Sequence, residues 1–326
     1  MTMNLLPITG SLLLFFLVST ASAESSSSPL VDTDWLASAL DSTVVLDVRT
    51  SKKSFFNKPS YQLNKKTGNQ VLTRVGGHIP GARLVIYKNV RGDRQIDGKT
   101  IKQMAVSGEQ FEKLMQQAGV NQDDHIVIST NAESGYDLTM AARMYWQLKY
   151  YGHDKISILN GGTAQWLIDG RNVSTTVEEI AKGNWKAQPQ NDAIFAGSDE
   201  VDDASSNKQI QLVDVRPLGQ YLGTFKSSKA KAKGHIPTAK VFPVDLISTR
   251  STPVKFSTAS ELTQLSDALG INTQDPVITY CNSGHMASGG WFVFHEILGN
   301  DNVQLYDGSM HQWTHEDRPV ISMKME

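Results

Sequence analysis

The one cysteine of this chain, Cys281, opens a short loop that reads Cys-Asn-Ser-Gly-His-Met. The β-branched run Val277–Tyr280 before it is typical of a buried strand, and the apolar run from about Ala287 to Leu298 favours a helix. A sulfur between such elements meets converging loop N–H groups and the positive end of the helix, which together stabilise a thiolate. A lone cysteine is otherwise most often a small buried apolar residue. Because functional sites of open α/β sheets lie at the carboxyl ends of the strands, we predict that Cys281 is a nucleophile.

Composition limits the classes of protein to which the chain can belong. It has 326 residues, of which 40% are hydrophobic and 20% charged, and this suits two globular domains of medium size. The net charge of −2 gives no reason to expect nucleic acid or an anionic membrane surface as a partner. A single cysteine excludes an intramolecular disulfide and a Cys-x-x-Cys pair. We expect no metal and no other cofactor.

The first residues are typical of a targeting segment rather than of a domain. An apolar run, Leu12–Val18, precedes the small-residue sequence Ala21-Ser22-Ala23, so we expect a secretory signal peptide over residues 1–23. The apolar run is short for a membrane span. We therefore expect transport across the inner membrane, into the periplasm of a Gram-negative source, without stable membrane insertion after cleavage. No Lys or Arg precedes the apolar run, and the alternative is an uncleaved anchor.

The rest of the chain contains the same set of sequence motifs twice, in the same order. The paired phrases, first half against second, are residues 44–49 and 211–216, residues 77–82 and 234–239, a helical pattern at about 107–118 and 258–269, and an apolar strand at 125–129 and 277–280. An offset of roughly 150 residues indicates a duplicated domain rather than a short repeat. Strands that alternate with helices predict parallel sheets covered on both faces.

We predict a first domain at residues 30–174, a linker at 175–192 and a second domain at 193–326. The linker is mostly polar, and we expect it to pack partly on the surface through Trp185. Two such domains leave a cleft, and the Cys281 loop is expected to face it. Both walls of that cleft come from one chain, so a monomer suffices.

The duplicated Asp-Val-Arg strands, the Gly-His-Ile-Pro phrases, the Cys-x-x-Gly-x-x-Ala loop and the Gly-x-x-x-x-Trp endings together resemble a tandem-domain rhodanese. That family comprises thiosulfate and 3-mercaptopyruvate sulfurtransferases. The resemblance implies an α/β fold with two tandem rhodanese-like domains, each a parallel β-sheet flanked by helices. It also implies an inactive first domain and a catalytic second one. The first-domain loop at residues 129–137 contains no cysteine and agrees with this division.

The resemblance further implies a reaction. The Cys281 thiolate takes a sulfane sulfur from thiosulfate or 3-mercaptopyruvate, holds it as a persulfide and gives it to cyanide or a thiol. Arg216 matches in position an arginine that binds the anionic donor, although a salt bridge with Asp214 is the alternative. The loop N–H groups are expected to stabilise the anionic sulfurs. The predicted substrate-binding residues are Arg216, Asn282, Ser283, Gly284, His285, Met286 and Ala287.

The preferred donor stays open because the loop departs from both branches of the family. Thiosulfate enzymes often carry basic residues after the cysteine, whereas Asn282 and Ser283 stand here. Mercaptopyruvate enzymes usually have Gly-Ser-Gly-Val-Thr there and a further arginine where this chain has Gln220. His285 is expected either to supply positive charge, more so at acidic pH, or to be a solvated loop residue.

Two other functions compete with a sulfurtransferase. The chain could be a sulfur or selenium carrier without turnover, or a redox-sensing module, in both cases through Cys281. A phosphatase of the related cysteine-loop type needs an arginine at the end of its loop. Ala287 and Ser288 stand there instead, which disfavours the phosphatase.

Overall fold

The computed structural model describes residues 28–176 and 178–323. The predicted signal peptide at residues 1–23 lies outside the described residues. Within those two ranges, no helix is both long enough and apolar enough to cross a membrane.

Each half of the described chain contains the alternation of strands and helices that the sequence predicts. The elements of the first half are β1 (Leu30–Val31), α1 (Thr33–Ala39), β2 (Thr43–Arg49), α2 (Lys53–Phe56), β3 (Ser60–Leu63), β4 (Gln70–Arg74), β5 (Arg83–Ile86), β6 (Arg91–Ile96), β7 (Lys99–Ala105), α3 (Gly108–Gln117), β8 (His125–Ser129), α4 (Gly135–Tyr150), β9 (Ile156–Leu159) and α5 (Gly162–Ile168). Those of the second half are β10 (Phe195–Ala196), α6 (Ser198–Asn207), β11 (Gln211–Asp214), α7 (Leu218–Leu222), β12 (Lys240–Val241), α8 (Ala259–Ala268), β13 (Val277–Tyr280), α9 (His285–Phe292), β14 (Val303–Tyr306) and α10 (Ser309–His315).

Each half is built around a five-stranded sheet in which all neighbouring strands are parallel. The order is β1-β9-β8-β2-β5 in the first and β10-β14-β13-β11-β12 in the second. The two orders match strand for strand, and helices flank both sheets. The predicted α/β fold with two tandem domains is thereby confirmed. Two antiparallel hairpins, β3–β4 and β6–β7, are added to the first half.

The elements that lead to the cysteine form for local reasons. All four residues of β13 are buried, as a β-branched apolar run inside a parallel sheet requires. Ser107 and Thr258 begin α3 and α8 with capping boxes, within one residue of the predicted starts. The helix predicted after the cysteine loop is present as α9, but it begins at His285, two residues before the predicted start. A π-helix, Val293–Ile297, continues it.

A continuous apolar core joins the two halves. Helix α4 packs against α9 across the boundary, and the rings of Tyr145 and Phe292 meet edge to face at 5.0 Å. The linker packs on the first half through Trp185, as expected, but this residue lies deeper than the surface. Its side chain is fully buried, its indole N–H donates to His153 Nδ1 at 3.1 Å, and its ring meets Phe111 at 5.5 Å. The linker is thus anchored in the core of the first half.

Hairpin β6–β7 reaches from the first half to the second. The amide of Ala105 donates to Asp307 Oδ2 at 2.7 Å, and the amide of Lys102 donates to His311 Nδ1 at 3.2 Å. This hairpin therefore covers the edge of the second sheet at which the cysteine loop lies.

Candidate active site

Cys281 follows the last residue of β13, which lies at the centre of the second sheet between β14 and β11. Its side chain is buried, with 2% of its surface exposed. Its amide donates to Ser309 Oγ at 3.0 Å, and the amide of Gly284 donates to the same oxygen at 3.1 Å. The hydroxyl of Ser309 in turn donates to the carbonyl of Tyr306 at 2.8 Å. One serine hydroxyl thus closes the loop by holding both of its ends.

The remaining N–H groups of the loop and of the first turn of α9 are free to bind an anion. None of them donates a hydrogen bond to any part of the chain that the structure describes; they belong to Asn282, Ser283, His285, Met286 and Ala287. The first N–H groups of a helix have no partner within the helix and carry its positive partial charge. Their position after the cysteine is that of an anion-binding cradle.

Gly284 is required by both conformation and space. Its φ of +74° is in the left-handed region, and a Cβ there would lie 2.1 Å from Asp307 Oδ1 and 2.7 Å from Arg143 Nη1. Arg143, from α4 of the first half, forms a buried ion pair with Asp307 at 2.6 Å and also donates to the carbonyl of Gly284 at 3.3 Å. The loop is therefore locked by a residue of the half that lacks a cysteine.

His285 is neither a solvated residue nor a source of positive charge, and both expectations for it were wrong. It is buried, Thr139 Oγ1 lies 2.6 Å from its Nε2, and the hydroxyl of Tyr87 bonds its Nδ1. The ring of Tyr136 stacks on it at 4.2 Å. Burial, followed by the charges of Arg91 and Arg143, lowers its pKa well below the usual 6.5. His285 is thus a neutral side chain that binds α9 to the first half.

Arg216 occupies the salt bridge that the sequence left as the alternative. Its Nε lies 2.9 Å from Asp214 Oδ1, its Nη2 lies 2.5 Å from Asp214 Oδ2, and the same Nη2 donates to the carbonyl of Gly234 at 2.8 Å. Arg49 makes the matching bonds to Asp47 and to the carbonyl of Gly77 in the first half. A pairing shared by both halves indicates a structural role, and this geometry does not support donor binding by Arg216.

The other predicted residues surround the cysteine in different ways. Asn282 Nδ2 donates to Gln220 Oε1 at 2.8 Å, while its Oδ1 is buried without a partner among the described residues. Met286 lines a cavity of about 460 Å³ between the halves. Ala287 is buried, and its carbonyl accepts a hydrogen bond from Thr279 Oγ1 at 3.0 Å.

Two cations that the sequence did not indicate lie beside the loop. Arg91, the first residue of β6, donates from Nη2 to Ser283 Oγ at 3.0 Å and also bonds the carbonyl of Ser283. Lys229 donates from Nζ to the same Oγ at 3.0 Å. The charges of Lys229, Arg143 and Arg216 each interact with Cys281. The one signal in the sequence was the lysine-rich segment at residues 226–233, which does not reveal its destination.

Comparison with known proteins agrees with this architecture. The Rhodanese-like domain family matches the chain in two segments, residues 32–169 and 198–316. The chain belongs to the rhodanese-like domain family.

Its relatives indicate the activity. A protein of Saccharopolyspora erythraea with the provisional name thiosulfate sulfurtransferase is 35% identical over 245 residues, or 73% of this chain and 81% of the relative. The sulfur carrier protein TtuD of Thermus thermophilus is 30% identical over 247 residues, or 73% of this chain and 82% of TtuD. The crystal structure of SseA from Escherichia coli, described as a 3-mercaptopyruvate sulfotransferase, is 26% identical with a TM-score of 0.67 and covers 87% of this chain and 99% of SseA. This chain is a sulfurtransferase enzyme.

Proposed function

We propose that the chain takes a sulfane sulfur from thiosulfate or 3-mercaptopyruvate, holds it as a persulfide on Cys281, and transfers it to cyanide or a thiol. The observation that carries the proposal is the placement of Cys281 at the start of a locked loop whose next N–H groups have no partner among the described residues. The names of the relatives support both donors.

The first half-reaction forms one S–S bond. The Cys281 thiolate attacks the outer sulfur of thiosulfate, the original S–S bond breaks, and sulfite leaves with the electron pair. With 3-mercaptopyruvate the C–S bond breaks instead. The carbon takes the electron pair as an enolate, receives the thiol proton and leaves as pyruvate. With either donor, the reaction converts Cys281 to its persulfide anion.

In this step the free N–H groups of the loop stabilise negative charge on sulfur, as an oxyanion hole stabilises negative charge on oxygen. Negative charge moves from the cysteine sulfur to the outer sulfur, and donors fixed by the fold stabilise it without having to reorganise. The bonds of Ser309 and the Arg143–Asp307 pair hold those donors in place. In the second half-reaction the acceptor attacks the outer sulfur and releases the thiolate, so cyanide yields thiocyanate and a thiol yields a new persulfide.

The relative TtuD, which is named a sulfur carrier protein, favours a second candidate in which Cys281 holds sulfur for a partner protein. The two candidates differ in turnover with small molecules. Thiocyanate formed from each donor and cyanide is therefore the deciding assay, and Cys281→Ser is its control. Many turnovers per chain support the enzyme, whereas a single equivalent of transferable sulfur supports the carrier.

We further propose that the chain is exported to the periplasm after removal of residues 1–23. The support is the apolar run followed by Ala21-Ser22-Ala23. The mass of the protein recovered from periplasmic extract tests this proposal. Loss of residues 1–23 is expected, and full-length protein in the cytoplasm would contradict it.

A further inference from the structure

Two cations from opposite halves of the chain converge on one neutral hydroxyl beside the nucleophile. Arg91 and Lys229 each lie 3.0 Å from the Oγ of Ser283, which stands two residues after Cys281. Neither forms an ion pair with any carboxylate among the described residues. The buried arginines nearby differ in this respect, because Arg143 and Arg216 each have an aspartate partner.

One residue of hairpin β6–β7 holds both cations. The carbonyl of Gln103 accepts from Arg91 Nε at 2.9 Å, and its side-chain Oε1 accepts from the Lys229 ammonium. Gln103 has a φ of +65°, which is uncommon for a residue other than glycine and has an energetic cost. Strained backbone of this kind is concentrated at functional sites. The arrangement of the two cations is thus built into the hairpin.

This cluster is electrostatically incomplete. Both cations are half-buried, and burial followed by the charge of Arg91 lowers the pKa of Lys229. A hydroxyl, a carbonyl and an amide oxygen satisfy hydrogen bonds without neutralising charge. Two neighbouring cations that are partly removed from water are stabilised by an anion between them. The planar fork of arginine suits an oxyanion with several oxygens, and lysine adds a point charge.

We propose that Arg91 and Lys229 form a clamp for the anionic end of the sulfur donor. The inference rests on the proposed function. The shared chemistry is an oxyanion, either the sulfonate of thiosulfate or the carboxylate of 3-mercaptopyruvate, held beside Ser283 so that the transferable sulfur faces Cys281. The clamp would bind the anionic donor, the role expected of Arg216. Arg216 is instead paired with Asp214. Because its members come from both halves, the first half contributes directly to donor recognition.

The test uses Arg91→Gln, Lys229→Gln and the double variant, with donor KM and kcat measured for both donors at saturating cyanide. Loss of a hydrogen bond to a charged group predicts a rise in donor KM of about 10- to 100-fold for each single variant, with a smaller change in kcat. Lys231→Gln is the matched control, since Lys231 lies in the same segment, is exposed and faces Asp317 at 3.7 Å. Its donor KM is expected to stay unchanged. Arg91→Lys is expected to recover part of the affinity.

The two donors distinguish the two sources of the anion. A rise in KM for thiosulfate alone assigns the clamp to the sulfonate, and a rise for 3-mercaptopyruvate alone assigns it to the carboxylate. An unchanged KM for both donors in the folded double variant overturns the proposal.

A binding measurement separates this proposal from the proposed function. Thiosulfate and pyruvate are titrated calorimetrically into Cys281→Ser, with and without the clamp substitutions. Binding of either anion that is lost with the substitutions supports the clamp even if the wild-type chain forms no persulfide. Binding unaffected by the substitutions, or no binding of either anion, overturns the clamp even if the persulfide forms.

Discussion

Arg143 of the first half and Asp307 of the second form a buried ion pair at 2.6 Å, directly beside the carbonyl of Gly284. The guanidinium also lies over the ring of Trp146, 4.8 Å from its centroid. The other carboxylate oxygen of Asp307, Oδ2, accepts a hydrogen bond from the amide of Ala105. Helix α4, hairpin β6–β7 and the cysteine loop therefore meet at one pair of charges. The half without a cysteine thus determines the shape of the catalytic loop.

Removing one partner of this pair is expected to destabilise the protein strongly. Arg143→Met leaves Asp307 as a buried charge without its cationic partner, which costs about 3–5 kcal/mol. The free energy of unfolding in urea measures the loss. Arg250→Met is the control, because Arg250 and Asp245 form an exposed pair whose contribution is about 0–1 kcal/mol. Equal losses in the two variants would show that the buried pair does not lock the loop.

Gly284→Ala is expected to damage both stability and activity. The alanine pays about 1–2 kcal/mol for the left-handed backbone and must also displace Asp307 and Arg143. Gly299→Ala isolates the backbone cost, since Gly299 has a φ of +72° and open space around its Cβ position. Urea unfolding should therefore show a clearly larger loss at Gly284 than at Gly299. Losses of the same size would mean that the loop can move aside without cost.

Arg216→Met and Arg49→Met are expected to destabilise their respective domains by similar amounts, about 3–5 kcal/mol each. Each substitution leaves a buried aspartate without its partner, Asp214 in one variant and Asp47 in the other. Unfolding of the two variants, followed together with donor KM, tests this. A selective rise in donor KM for Arg216→Met at nearly unchanged stability would instead restore a donor-binding role for Arg216.

Acid is expected to destabilise the protein partly through His285. The pKa of His285 is lowered in the folded state, so below about pH 6.5 the unfolded chain binds a proton that the folded chain does not. Stability contributed by the neutral ring is complete above that pH and is lost as the pH falls, by up to about 1.4 kcal/mol per pH unit.

The measurement is the free energy of unfolding between pH 7.5 and pH 5.5. His285→Gln should flatten this dependence more than His125→Gln does. The pKa of His125 is also lowered by burial, but His125 is only half-buried. An unchanged slope in His285→Gln would show that folding does not lower the pKa of this ring.

The sequence predicted features that depend on neighbouring residues. Strand β13, the cysteine after it and the capped starts of α3 and α8 follow from apolar runs and capping residues within a few positions. Duplication of these local patterns was enough to predict two parallel sheets. The start of α9 was missed because Gly284 ends the loop two residues earlier than the apolar pattern indicates.

The remainder of the site depends on contacts between distant residues, which no local pattern encodes. Arg91 meets Ser283 from 192 positions away, and Tyr87 meets His285 from 198. His285 is a polar loop residue, and its sequence context therefore suggested that it is exposed to solvent. It is buried instead, because residues of the first half cover it. Arg216 was ambiguous for the same reason, since its role depended on which acid lay beside it.

The intact mass of the purified protein, before and after addition of thiosulfate or 3-mercaptopyruvate, tests the persulfide on Cys281 most directly. We expect a gain of one sulfur, about 32 Da, that disappears with cyanide and does not form in Cys281→Ser. No gain with either donor, or an equal gain in Cys281→Ser, would contradict it.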